Sequence, residues 1–68
     1  MERNPGKKAL LKELEATCRS LSAARSGFDG TGDGDLLEYY LYEISALRAR
    51  HTYLLRQLKQ WEEKEGPL

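Results

Sequence analysis

Sixty-eight residues with 11 basic and 11 acidic side chains, one cysteine and one histidine make a single domain with little interior. A core this small rarely supplies more than about 3–5 kcal/mol without a disulfide, a metal or a second chain. One cysteine cannot close a disulfide within the chain, and one His with one Cys serves a structural metal poorly, so association is the remaining aid.

Zero net charge gives no global attraction to nucleic acid or anionic membranes. No run approaches the ~20 apolar residues that would span a bilayer. The first eight residues lack the apolar core of a signal peptide, and a lone reduced thiol points to the cytoplasm. Charge is nevertheless sorted. Residues 1–25 hold six bases and three acids, residues 26–43 five acids and no base, and residues 44–60 four bases and no acid.

In chain order, Asn4 and Pro5 suit the cap and first turn of a helix. Gly6 weakens that start and moves it toward Lys7. Leu11, Leu14, Cys18 and Leu21 then recur three or four residues apart, with Leu10, Thr17 and Ala24 on the flank, which predicts an amphipathic helix over about 5–26. Cys18 reads there as a small core residue. Glu15 and Arg19 form an i,i+4 pair in the favourable order, and Arg25 falls near the expected C-terminus, where the dipole favours a cation. Ala9, Ala16 and Ala23 recur every seven residues behind the leucine stripe.

Residues 27–34 read as a glycine-rich acidic turn, with Gly27 placed for a left-handed cap, Phe28 folded back over the helix, and Asp33 or Asp35 capping the second helix. Asp29-Gly-Thr-Gly-Asp-Gly also matches the first half of a calcium loop. Its twelfth position is Tyr40 where a bidentate Glu is needed, so Asp29, Asp33 and Asp35 are expected to serve the turn rather than calcium. No cofactor or metal is expected.

From Leu36 to Trp61 the pattern is a heptad. Leu37, Tyr40, Ile44, Leu47, His51, Leu54, Leu58 and Trp61 are spaced three and four apart in strict alternation, apolar at seven of eight positions. This predicts a second, longer helix over about 35–64, stopped by Gly66 and Pro67, with His51 as a polar residue that sets register. The fold class is therefore all-α: an antiparallel two-helix hairpin, seamed by Leu11, Leu14, Cys18 and Leu21 against Leu37, Tyr40, Ile44, Leu47, His51 and Leu54. If opposed residues have numbers summing to about 61, the first helix ends beside Arg56 and leaves Leu58 and Trp61 uncovered. It also sets Cys18 about a two-turn distance from His51, too far for a thiol–imidazole pair.

A second non-polar face lies on the long helix. Tyr39, Tyr42, Ala46, Ala49 and Tyr53 gather within about 80° of the helical wheel, away from the seam. With Leu58 and Trp61 they form the expected oligomer interface, through which hairpins assemble as a dimer or tetramer into a helical bundle. A further, unidentified protein partner is also open to this surface. Arg48, Arg56 and Lys59 share one flank but make too thin a basic patch for nucleic acid. No nucleophile–base pair is evident, so no enzyme activity is expected.

Residues Tyr42-Glu43-Ile44, Ala46 and Tyr53-Leu54-Leu55, together with the first-helix pattern and Phe28 before an acidic turn, resemble the YaaL-like family of Gram-positive bacteria over about residues 8–60. The resemblance implies a soluble α-hairpin of unknown function and carries over no catalytic residue. The glycine-rich turn departs from the tighter Asp-Pro-Glu that the resemblance implies. A second comparison is with the small helical-hairpin phosphatases that act on aspartyl phosphate in sporulation control. Their Ser-Gln-x-Leu-Asp run would start at Ser45, but Ala46-Leu47-Arg48-Ala49 come next. The expectation is therefore a small non-catalytic interaction or regulatory module, with such a phosphatase as the alternative.

Overall fold

The computed structural model describes residues 6–65. Helix α1 runs over Lys7–Gly30 and α2 over Gly34–Glu65, packed side by side as a hairpin whose second arm is the longer. The molecule measures 50 × 29 × 14 Å, a single layer of helices with one seam. Asn4, Pro5, Gly66 and Pro67 lie outside the described residues.

The ends of α1 are not made by capping. Gly6 stands at the N-cap in extended backbone (φ −68°, ψ 157°) without a side-chain cap, and its carbonyl accepts the Leu10 N–H at 3.0 Å. Its first turn contains Lys7 and Lys8 and its last contains Asp29, the reverse of what the helix dipole favours. Burial of one face must therefore hold α1.

That face differs from the expected one. Leu10, Thr17 and Ala24 are buried, with Leu14, Leu21 and Phe28 half-buried between them, whereas Leu11 is 49% exposed and Cys18 is exposed. The seam is thus turned by about one residue, putting Leu11 and Cys18 on its rim. The Thr17 hydroxyl is satisfied within its own helix by donating to the Glu13 carbonyl at 2.8 Å. On α2 the expected stripe is the one that packs: Leu37, Tyr40, Ile44, Leu47 and His51 are half-buried and Leu54 is buried.

The second correction is at Gly27. It does not cap α1, which continues through Phe28 and Asp29 to Gly30. A glycine inside a helix costs about 1 kcal/mol relative to alanine, and here the Tyr40 ring occupies the missing side chain's place. A β-carbon on Gly27 would lie 2.6 Å from Tyr40 Cε1 and 2.7 Å from its hydroxyl oxygen. The two positions should therefore be coupled. In a Tyr40→Ala background, Gly27→Ala is expected to stabilise the chain by about 0.5–1 kcal/mol through helix propensity. With Tyr40 present, that gain should vanish or reverse as the ring is displaced. A urea-denaturation double-mutant cycle reads the difference.

The connection is consequently only Thr31, Gly32 and Asp33. Asp33 begins α2 as expected: its Oδ1 accepts the Asp35 N–H at 2.9 Å and the Leu36 N–H at 3.2 Å, and its carbonyl accepts the Leu37 N–H at 2.9 Å. Thr31 Oγ1 accepts the Asp33 N–H at 3.1 Å. Asp33→Ala should cost about 1 kcal/mol by orphaning these donors, while Asp33→Asn keeps most of it. Thermal melts of both variants test this. Asp35 in the first turn and Lys64 in the last match the dipole of α2.

The longer α1 and shorter turn move the register. Glu13 pairs with Arg50, Gly27 meets Tyr40, and Leu10 packs with Leu54 and Leu58, so opposed residues have numbers summing to about 63–68 rather than 61. Leu58 is therefore buried in a cluster with Leu10 and Leu54, against which Leu14 and Trp61 pack. Leu58 and Trp61 belong to the hairpin's own core, not to a bare projecting end.

Candidate functional site

With its seam filled, α2 still carries a second apolar face. Tyr39 is 54% exposed, Tyr42 70% and Tyr53 52%, and Ala46 and Ala49 between them are exposed. Helical geometry puts the five on one strip, about 135° around α2 from the seam. Tyr39 is partly ordered from within the chain: its ring meets Tyr40 edge-on at 5.1 Å between centroids, and its hydroxyl reaches Glu43 Oε2 at 3.4 Å. Such a strip combines bulky amphipathic rings at both ends with small side chains at its middle, where a neighbouring helix could come close. Leu36, Leu41 and Leu55, each about half exposed, lie around α2 outside this strip.

The second feature is an open groove between the helices, lined by Cys18, Arg25, Arg48 and His51 among others. Cys18 and His51, which the expected register sets about two turns apart, both line this one groove. Across the same interface the Arg50 guanidinium meets the Glu13 carboxylate, and along α1 Arg19 lies 3.9 Å from Glu15. Both pairs are at least half exposed, so each contributes at most a few tenths of a kcal/mol to about 1 kcal/mol.

Asp29 is in the last turn of α1 and Asp33 is used as the cap, and among the described residues no three His, Cys, Asp or Glu side chains gather as metal ligands. Ser45 is exposed on α2 and is succeeded by Ala46, Leu47, Arg48 and Ala49, with neither amide nor acid among them. No described helix is long and apolar enough to cross a membrane.

The family profile of DUF2508, a protein of unknown function, matches residues 2–63, taking in both helices and the turn. The chain belongs to the DUF2508 family. No curated protein and no solved structure matches it. Membership in DUF2508 spans the whole described hairpin except its last two residues, so the packed seam and the exposed strip both fall within the family's own extent.

Proposed function

We propose that this chain is a small, non-catalytic protein–protein interaction or regulatory module of the cytoplasm, and that it self-associates through the outer face of α2. The observation that carries this reading is the strip Tyr39, Tyr42, Ala46, Ala49 and Tyr53. Three tyrosines each more than half exposed share one helix face with two exposed alanines, a continuous strip rather than singly scattered apolar residues.

The total surface agrees. The chain exposes 5,596 Å², whereas a compact monomer of 7.8 kDa is expected to expose about 4,400 Å². A layer 14 Å thick cannot cover the outer sides of its own helices. A layer so thin offers grooves rather than enclosed pockets, which supports a binding role over catalysis. The YaaL-like motif around Tyr42 and Tyr53 supports placing the chain among such proteins of Gram-positive bacteria, and it coincides with the exposed strip.

Sedimentation equilibrium across micromolar to millimolar concentration tests the proposal. A mass of two or more chains is expected, accompanied by a melting temperature that rises with concentration. A folded single chain throughout that range would overturn it.

A further inference from the structure

We infer that what covers the tyrosine strip is a second copy of this chain, laid antiparallel along α2 about a two-fold axis between Ala46 and Ala49. The inference rests on the proposed self-association and goes beyond it by fixing partner, direction and register.

Direction comes from charge. The first part of α2 carries Asp35, Glu38 and Glu43 and no base, and its continuation from Ile44 to Gln60 carries Arg48, Arg50, Arg56 and Lys59 and no acid. Two copies laid parallel would set acid against acid and base against base over most of the contact. Laid antiparallel, each acidic half meets a basic half, which lowers the energy of the right pairing and raises that of the wrong one.

Register comes from the same residues. An axis midway between Ala46 and Ala49 opposes residues whose numbers sum to 95. Ala46 then faces the second copy's Ala49, and Tyr42 faces its Tyr53. A two-fold axis across antiparallel helices keeps like flanks on the same side, so a charge pair must share its position on the wheel. Glu38 and Arg56 do so: they are separated by 18 residues, about five whole turns. They oppose one another within one residue of the same axis, and both are exposed. Glu43 and Arg50, two turns apart on the other flank, oppose within two residues, and Arg50 already holds Glu13 of its own chain. One axis thus satisfies the alanines, the tyrosines and the charges on both flanks. The small residues at the centre let the two α2 helices approach to the roughly 8–10 Å of close helix packing, with the tyrosines closing over either end. The product is a shallow, curved layer of four helices with two α2 helices inside and an α1 on each outer side.

Two measurements on the full chain decide this. The first places a nitroxide at position 59 in a Cys18→Ser, Lys59→Cys variant; Lys59 is exposed and lies off the strip. Antiparallel dimers in this register should give a spin–spin distance close to 40 Å, and parallel ones a distance near 20 Å. The second uses charge reversal. Glu38→Arg and Arg56→Glu should each weaken self-association at least tenfold, because each sets two like-charged pairs face to face. An equimolar mixture of the two variants should restore dimers, as should the doubly reversed chain. A distance near 20 Å, or single reversals that leave association unchanged, overturns the arrangement while leaving self-association standing. A wild-type chain that stays monomeric at millimolar concentration removes both. Circular dichroism of each variant confirms that the hairpin itself is folded.

Discussion

Leu54→Ala is expected to leave most of the chain unfolded at 25 °C. Leu54 is 3% exposed and touches the two other residues of the buried cluster, Leu10 and Leu58, in a molecule with one seam and no second layer. Truncating a buried leucine to alanine costs about 2–5 kcal/mol, transfer and cavity together. A two-helix core of this size supplies only about 3–5 kcal/mol, so the loss is comparable with the whole stability. The neighbouring residue is an internal control. Leu55 is 46% exposed, and Leu55→Ala should cost less than about 1 kcal/mol although it removes the same atoms from the same helix. Urea denaturation monitored by circular dichroism at low micromolar concentration compares the two, and equal midpoints would contradict the burial of Leu54 in the seam.

The second large effect should touch association alone. Ala46 is exposed on the outer face of α2, so Ala46→Glu changes nothing in the seam and keeps a good helix former. In the antiparallel pair, each new carboxylate would stand within a few ångströms of the axis, close to its symmetry mate and cut off from water. Two like charges in that setting should weaken the dimer by more than about 100-fold. The expected result is a monomer in sedimentation equilibrium whose helical content is unchanged at concentrations where the hairpin is stable. Retention of the dimer would place the contact elsewhere.

The long helix was legible from its residues. Its heptad is apolar at seven of eight positions, Asp33 is a strong cap, and the structure uses both as expected. The seam on α1 was harder to read because two of its three buried positions are Thr17 and Ala24, which carry little apolar bulk, while Leu11 and Cys18 on the rim mimic a better stripe. A heptad through Leu10, Leu14, Thr17, Leu21, Ala24 and Phe28 is present in the sequence and would have shown the rotation. Gly27 misleads for a different reason. Local propensity ends a helix there, and a ring from 13 residues further along overrides it. The four extra helical residues then slide the register by about a turn, which accounts for the packing of Leu58 and Trp61 against Leu10. The exposed strip, by contrast, was readable because tyrosines and alanines at helical spacing stand out wherever the seam is placed.

The three-residue connection between the helices has a consequence in time. Contacts next to it, such as Gly27 with Tyr40, close loops of little more than a dozen residues, whereas those joining Leu10 to Leu54 and Leu58 close loops of well over forty. Chain entropy favours the short closures first, so the arms zip outward from the bend. The best-buried cluster forms at the open end, late in that sequence, and so acts chiefly as a latch. It governs how long a closed hairpin persists more than how quickly one is made.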